Sequence, residues 1–396
     1  MVDPVQRVMQ RLPGVRWRAV TVALLSILIA SCGSGVTPPA QGRTLAVASA
    51  AHRPSPTLTP QTSGTNVRLV SISVVDEQVV WVCGRNGTVL RTLDGGSTWE
   101  SRNVPGAGSL SLVNVRAFSK DLAFVLTNNG GPNARIYKTE DGGQTWTLHF
   151  QSPISNTFYD CFAFWSPTRA FAVPDAENGR FDVVRMTDGV TWENIGDLFP
   201  AGQPGEGFFP TSGTCIATRG SQRAWAASGG GAQPRVIVTE DGGDTWTSYP
   251  TPIGGTATSG GMTIHFRDNL HGILGGGNVV LPAIQQDNFA RTRDGGRTWQ
   301  LATAAPFPGP MYGLAYARHE PGGEEEDDQG EQDEGDSGGG HGRIVATGPG
   351  GTAWSADEGD TWEAFPSTAG LLGVAFANHQ TGWLVGLNGR IMRIEF

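Results

Sequence analysis

Short apolar runs, separated by turn-forming residues, recur along most of the chain. The two clearest units have four runs each, at 69–75, 79–83, 88–92 and 99–103, and at 112–118, 122–126, 134–139 and 146–150. Runs of this length that are rich in Val, Leu, Ile and Phe and bounded by Gly, Asn, Asp and Ser are typical of β-strands joined by tight turns. The pattern therefore predicts an all-β chain built from four-stranded antiparallel units.

An eight-residue motif, Thr-x-Asp-Gly-Gly-x-Thr-Trp, joins the third and fourth strands of these units. The Asp carboxylate can accept bonds from nearby backbone N–H groups, and the glycines tolerate positive φ. We expect hairpins in which each indole is buried beneath the turn with its N–H satisfied. One copy is a residue shorter and the last copy is looser. In chain order, the motif aspartates and tryptophans are Asp94 and Trp99, Asp141 and Trp146, Asp188 and Trp192, Asp241 and Trp246, Asp294 and Trp299, and Asp357 and Trp362.

The spacing of the motif indicates how many units the chain contains. The aspartates lie 47, 47, 53, 53 and 63 residues apart, a period typical of β-propeller blades. After the sixth copy come three more strand-like runs, at 373–377, 382–386 and 389–394, and no further motif. Because an open ring would leave an unpaired strand edge, a segment within 55–66 should supply the missing strand. The sequence thus predicts a seven-bladed β-propeller of four-stranded antiparallel blades, closed by an N-terminal strand.

These motifs resemble the Asp-box, or bacterial neuraminidase, repeat of sialidases, sortilin-type receptors and certain glycoside hydrolases. Together with the pattern Gly-Trp-x-Val-Gly…Gly-x-Ile-x-Arg at 382–393, they are similar to photosystem II assembly-factor-like propellers over about residues 65–396. The resemblance implies a propeller that serves in assembly or binding rather than in catalysis. Blades three to five carry longer loops than the compact photosynthetic form.

The N-terminus has the features of an export signal over residues 1–32. Four arginines precede an apolar stretch at 20–30 that is short for a membrane span. The stretch ends in Ile-Ala-Ser-Cys32, which resembles a bacterial lipobox and implies that Cys32 is lipidated; an ordinary signal peptide with an incidental cysteine is the alternative. Residues 33–60, rich in Pro, Ala, Ser and Thr, are predicted to form a flexible tether before the propeller at 61–396. We expect a location in the bacterial cell envelope, on the periplasmic side or the outer surface, with a membrane contact through the anchor.

Charge is unevenly distributed along the chain. The formal net charge is −9, but ten of the 37 acidic residues lie in the acidic insertion at 320–342, which is predicted to be disordered and solvated. The remainder has 27 acids against 28 bases, a net charge of +1, so nothing favours a nucleic-acid partner. Phosphate-loop, dinucleotide and His-Glu-x-x-His motifs are absent from the sequence, and the order of the acidic run lacks an EF-hand pattern, so we expect no cofactor or metal.

Three cysteines follow Cys32, namely Cys83, Cys161 and Cys215, so at most one disulfide can form among them. Cys161 and Cys215 occupy near-equivalent early-strand positions of neighbouring units. A bridge between them is therefore one possibility, although equivalent strands often lie beyond disulfide reach.

Arginines recur at the start of the third strand, just after the turn from the second. They are Arg135, Arg180, Arg235 and Arg390, and Arg85 lies nearby in the first unit. In a propeller these turns gather on the face opposite the motif hairpins. A basic rim for an acidic partner is one interpretation, and ion pairs or hydrogen bonds between blades are the other.

Carboxylates offer an alternative function. Glycoside hydrolases with this repeat use two carboxylates, and Asp175, Glu177 and Glu206 lie in loops expected at one mouth of the ring. Solvated loop carboxylates are the plainer interpretation. A protease-like Gly-Asp-Ser337-Gly-Gly match and the Ala-Ala-His52 match lie in the acidic run and the tether, so both are chance similarities. We expect a monomeric, non-catalytic module that binds a protein or glycan on one face; the alternative is a carbohydrate-active protein.

Overall fold

A computed structural model describes residues 55–284, 287–317 and 342–396. It confirms the predicted fold: seven four-stranded antiparallel sheets, the blades, follow one another in chain order and form a ring. Successive strands within a blade pair as neighbours, from an inner first strand to an outer fourth strand. For most of these strand pairs the connection is too short for anything but antiparallel pairing; the acidic insertion between β24 and β25 is the long exception.

The first six blades take their four strands from continuous stretches of chain. Blade 1 has β2 (Leu69–Val74), β3 (Val80–Gly84), β4 (Val89–Thr92) and β5 (Glu100–Ser101). Blade 2 has β6 (Leu112–Ala117), β7 (Ala123–Thr127), β8 (Arg135–Thr139) and β9 (Thr147–Gln151). Blade 3 has β10 (Tyr159–Ser166), β11 (Arg169–Pro174), β14 (Val184–Met186) and β15 (Trp192–Asn194), and a small hairpin of β12 (Ala176–Glu177) and β13 (Arg180–Phe181) lies between its second and third strands.

Blades 4 to 6 follow the same plan. Blade 4 has β16 (Ile216–Arg219), β17 (Arg223–Ala227), β18 (Arg235–Thr239) and β19 (Thr247–Pro250). Blade 5 has β20 (Ser259–Phe266), β21 (Gly272–Asn278), β22 (Phe289–Thr292) and β23 (Gln300–Leu301). Blade 6 has β24 (Gly313–Tyr316), β25 (Ile344–Gly348), β26 (Gly351–Ser355) and β27 (Glu363–Phe365). The described helices are two short 3-10 turns, Gly131–Asn133 and Leu387–Gly389.

Blade 7 closes the ring with both ends of the described chain. It combines β28 (Leu371–Phe376), β29 (Thr381–Gly386) and β30 (Ile391–Glu395) with β1 (Thr57–Gln61), which pairs antiparallel with β30. The predicted closing strand is therefore present. β1 begins at Thr57, so residues 57–60 pair with β30 and belong to the propeller. The predicted boundary between tether and propeller, placed after residue 60, is corrected to a position before Thr57.

The core lies between neighbouring blades, because each sheet buries both of its faces. Trp81, Trp225 and Trp383 on second strands are fully buried in this way. A buried aromatic side chain removes about 150–250 Å² from water. Such residues supply much of the hydrophobic stabilisation of the ring.

A disulfide joins the inner regions of blades 3 and 4. Cys161 in β10 is bonded to Cys215, which immediately precedes β16, and their Cα atoms are 6.2 Å apart. The pairing that the sequence left open is therefore formed. Cys83 remains a buried free thiol, and burial raises its pKa far above the usual range.

The alternation of strands sorts the connections onto two faces. The box face carries the motif hairpins and the turns from first to second strands. The loop face carries the turns from second to third strands and the connections between blades. The strands flanking the acidic insertion, β24 and β25, meet on the box face; residues 318–341 lie outside the described part of the chain. Among the residues that the structure describes, no helix is long and apolar enough to span a bilayer.

Candidate functional site

The Asp-box hairpins are closed by a repeated hydrogen-bond pattern, as in blade 2. Thr139 Oγ1 donates to Asp141 Oδ1 (2.9 Å) and accepts from the Gly143 N–H (2.8 Å). Thr145 donates its Oγ1–H (2.7 Å) and its backbone N–H (2.9 Å) to the same carboxylate. These bonds, first the one from the Thr145 side chain, favour the charged form and lower the pKa of Asp141 to about 2. The carboxylate is thus occupied by its own turn.

The other motif aspartates also accept bonds from their own hairpins, and the pKa of each is lowered. In Asp94 and Asp188 the main cause is a backbone N–H, from Thr98 and Thr191 respectively. In the remaining three, partial burial raises the pKa but hydrogen bonds from the neighbouring Thr outweigh it; these are Asp241, Asp294 and Asp357. The motif aspartates therefore serve to close their own hairpins.

The box tryptophans connect neighbouring blades. Trp146 and Trp362 donate their indole N–H to backbone carbonyls of the preceding blade, at Arg102 (2.9 Å) and Thr303 (2.8 Å). At the closing seam, Trp99 donates to Gln61 Oε1 of β1 at 3.1 Å. The indole of blade 1 therefore bonds the closing strand as other blades bond an ordinary fourth strand.

Two of the remaining box tryptophans bond within their own hairpins, and the third bonds a histidine of the preceding blade. Trp246 and Trp299, each 8% exposed, donate to carbonyls of their own hairpins, at Gly243 and Gly296. Trp192, from the shortened motif, donates instead to the imidazole of His149 in blade 2. Each of the six indole N–H groups therefore has a hydrogen-bond acceptor, as expected. In four of the six boxes, that acceptor belongs to the neighbouring blade.

Two of the four loop-face arginines are paired with carboxylates. Arg235 donates Nε and Nη2 to Glu206, each at 2.8 Å. Arg180 binds Asp182 and Asp197, and these contacts, first the one to Asp197, raise its pKa. Both charges are therefore compensated within the fold.

The other two arginines bond only neutral acceptors among the described residues. Arg135 donates Nε to the Pro132 carbonyl (2.8 Å) and Nη1 to the Tyr137 hydroxyl (3.1 Å). Arg390 donates to the carbonyls of Ala369 (2.8 Å) and Ser367 (3.3 Å). Each guanidinium is held in place while its positive charge stays uncompensated.

These two arginines belong to a larger basic region, which we call the basic sector. It consists of the loop-face segments of blades 7, 1 and 2 and the connections that flank them. They contain Arg68, Arg85, Arg102, Arg135 and Arg390 and no Asp or Glu. Two acids lie two residues outside these segments: Glu100 pairs with Arg102 at 2.9 Å, and Asp160 is buried at 2% exposure and accepts a bond from Asn128. The segments are 61–68, 85–88, 102–111, 128–135, 152–158, 366–370 and 387–390.

Two of the three candidate carboxylates, Glu206 and Asp175, bond groups in the loops of blades 3 and 4. Glu206 is 1% exposed and accepts bonds from Arg235, the Ser228 hydroxyl (2.7 Å) and the Gln203 N–H (2.8 Å). Asp175 accepts a bond from the Phe208 N–H, and Glu177 is exposed in the β12–β13 hairpin. Glu206 is therefore engaged in an internal ion pair, whereas Glu177 is open to solvent.

Residues 206–214, which we call the strap, cross the central channel on the loop face. Asn114 of blade 2 donates to the Gly213 carbonyl, and Ser212 and Thr211 donate to the Tyr312 carbonyl before blade 6. Thr214 bonds Thr263 of blade 5 at 2.7 Å. The strap therefore closes the loop-face mouth of the channel.

The channel beneath the strap is narrow. Residues from the inner strands of all seven blades surround a cavity of about 110 Å³. Its polar groups bond from strand to strand; for example, Ser73 Oγ accepts from the Ala117 N–H and Thr218 Oγ1 donates to the Phe164 carbonyl. A cavity of about 150 Å³ accommodates benzene, so a sugar ring exceeds this space. Within the described ranges, no cluster of three or more His, Cys, Asp or Glu could hold a metal ion.

The predicted lipidation site, Cys32, lies outside the described residues, as do His52 and Ser337 of the two chance similarities. Sequence reasoning missed Gln61, His149 and the strap. The shortened motif that ends in Trp192 is the sequence feature that indicates a seam between blades 2 and 3 unlike the other seams. The partners of Gln61 and the strap are set by packing across the ring and left no sequence signal.

The fold and the boxes define this chain as a seven-bladed Asp-box β-propeller. It is similar to photosystem II assembly-factor-like propellers. The family model described as "Photosynthesis system II assembly factor YCF48" matches residues 55–189.

Curated relatives and solved structures agree with this similarity. "Photosystem II assembly lipoprotein Ycf48" of Synechococcus sp. (strain CC9902) is 24% identical over 265 residues, which cover 53% of this chain and 69% of the relative. "Photosystem II stability/assembly factor HCF136, chloroplastic" of Arabidopsis thaliana is 25% identical over 257 residues, covering 61% of this chain and 57% of the relative, less than two thirds of its length. The structure "YCF48 bound to D1 peptide" superposes with a TM-score of 0.60 at 16% identity, covering 86% of this chain and 97% of that one. "YCF48 from Cyanidioschyzon merolae" gives 0.56 at 18%, covering 85% and 98%. At these identities the two structures support the fold alone.

Proposed function

We propose that the chain is a non-catalytic binding module that engages an acidic segment of a partner protein through the basic sector. The observation that carries this proposal is the uncompensated charge of Arg135 and Arg390 in a face segment without Asp or Glu. A surface that keeps positive charge on fixed guanidiniums favours carboxylate partners, because Arg can bind them with two parallel hydrogen bonds.

The comparisons support a role in assembly. Two relatives carry names of photosystem II assembly factors, and a protein of similar fold is described as bound to a D1 peptide. By analogy, a peptide segment of a partner protein is the kind of ligand proposed here. The closed channel supports a partner that lies across the loop face rather than one that inserts into the ring.

Export and lipid anchoring are part of the same proposal. The segment 1–32, with Cys32 at its end, has the pattern of a lipoprotein signal, and one relative is named a lipoprotein. The Cys161–Cys215 disulfide suits an oxidising compartment. The N-terminal end of β1 pairs with Glu395, at the end of β30 next to the box face, so a tether from Cys32 would leave the loop face free.

The test is a quantitative pull-down from native membranes with the exported chain as bait. R135E/R390E should lose the partner by about tenfold or more, and binding by the parent chain should weaken with salt. R293E is the matched control, because Arg293 is exposed on a box hairpin. Thermal unfolding of each variant verifies the fold. Equal recovery of the partner by both variants would refute the assignment to the basic sector.

A further inference from the structure

The seam between blades 2 and 3 contains an ionisable acceptor. Trp192 donates its indole N–H to His149 Nδ1 at 3.0 Å, and His149 Nε2 lies 3.1 Å from the Gly189 carbonyl oxygen. A carbonyl only accepts, so the proton of the neutral imidazole is on Nε2 and Nδ1 receives the indole N–H. Both ring nitrogens are therefore satisfied only while His149 is neutral.

The corresponding acceptors at other seams do not titrate. Trp146 and Trp362 use backbone carbonyls, and Trp99 uses the Gln61 amide oxygen. Protonation of His149 would add a hydrogen to Nδ1, so two N–H donors would face each other and the seam would lose its bond. No comparable event can occur at the three other seams that are joined by an indole N–H bond.

The surroundings of His149 favour its neutral form. It is half-buried on β9, with Phe124 of β7 and Trp192 of β15 packed edge-on at 5.4 and 6.3 Å between ring centroids. Burial, followed by the charge of Lys138 on β8, lowers the pKa of His149, while the Gly189 carbonyl, Glu140 in the blade 2 box and Asp188 in the blade 3 box oppose that change. Lys138 is itself paired with Glu140 at 2.9 Å. The balance places the transition on the acidic side of pH 6.5.

We propose that His149 and Trp192 form a pH-sensitive latch between blades 2 and 3, closed at neutral pH and released when His149 is protonated. The release is local: β15 loses its bond to β9 while the inner strands of the two blades remain packed. Acid drives opening, because His149 binds a proton more readily in the open seam than in the closed seam.

The test uses the indole signals of a chain labelled with 15N-tryptophan, followed by NMR from pH 7.5 to 4.5. The Trp192 indole N–H should titrate with the same midpoint as the His149 ring, below pH 6.5, and amide exchange of β15 should accelerate several-fold across that range after correction for intrinsic rates. The Trp146 indole, bonded to a carbonyl, is the internal control and should stay constant.

Two substitutions separate the latch from a merely structural histidine. In H149Q the amide can accept from the indole and donate to Gly189 at any pH, so the Trp192 signal should no longer titrate. In W192F the His149 pKa should rise toward its ordinary value, whereas W146F should leave it unchanged. A Trp192 signal that is independent of pH in the parent chain, or a His149 pKa that W192F does not raise, would overturn the proposal.

Discussion

Removal of the Cys161–Cys215 bridge is the perturbation whose size follows most directly from the structure. The bond closes a loop of 54 residues between the inner regions of two neighbouring blades. In the chain-entropy treatment, a cross-link changes the entropy of the unfolded chain by about −2.1 − 1.5R ln n cal/mol/K, where n is the number of residues in the closed loop. For a loop of this length, the bridge therefore stabilises the folded state by about 4 kcal/mol at 25 °C. This is a large share of the roughly 5–15 kcal/mol that stabilises a typical domain.

The experiment compares C161A/C215A with C83A in urea unfolding followed by tryptophan fluorescence. Cys83 is a buried free thiol of similar environment, so C83A measures the loss of packing without the loss of a cross-link. We expect the double variant to lose about 4 kcal/mol of unfolding free energy beyond twice the effect of C83A. A double variant within about 1 kcal/mol of twice C83A would refute the reasoning that the bridge restrains the unfolded chain.

Three further predictions concern single features of the fold. E206A should lower the free energy of unfolding by about 3–5 kcal/mol, because Arg235 is left without its carboxylate. E177A, at an exposed position, is the control and should change the free energy of unfolding by less than about 0.5 kcal/mol. Denaturant titration measures both values. A chain beginning at residue 62 lacks β1 and the bond from Trp99 to Gln61, so the edge of β30 is left unpaired. We expect this shortened chain to aggregate or to unfold in several calorimetric transitions, whereas the chain from residue 55 should unfold in a single transition. The native pKa of Asp141 lies below the unfolded value, so its stabilising contribution is present above about pH 4 and is lost as the pH falls toward 2; unfolding free energies over that range should fall less in D141N than in the parent chain.

Equal effects of E206A and E177A would place Glu206 outside the stabilising network, and glycan release that depends on Glu206 would favour the carbohydrate-active alternative. A monomeric, cooperatively folded chain from residue 62 would show that the ring does not need its closing strand. Identical acid profiles of D141N and the parent chain would contradict the assignment of the lowered pKa.

The fold could be predicted closely because its determinants are local and repeated. The Asp-box hairpin depends on residues within a few positions of Asp141, so its pattern is visible in the sequence. The missing seventh motif predicted closure by β1, since a propeller cannot leave the edge of β30 unpaired.

The candidate site was less predictable, because the fate of each arginine depends on residues far away in the chain. Arg135 and Arg235 occupy equivalent positions at the start of a third strand, yet Arg235 meets Glu206 from the strap whereas Arg135 meets only neutral oxygens. The path of the strap is set by hydrogen bonds to residues of three other blades. Likewise, nothing local to His149 indicates that it receives the indole of Trp192.

Site-specific photocrosslinking in native membranes tests the central claim most directly. A photoreactive amino acid at exposed Ser109, within the basic sector, is compared with one at Val190, which is 72% exposed in a box hairpin. We expect a discrete protein adduct from position 109 that disappears in the R135E/R390E background, and none from position 190. An adduct from position 190 alone, or an adduct from position 109 that survives the charge reversal, would contradict a partner site on the basic sector.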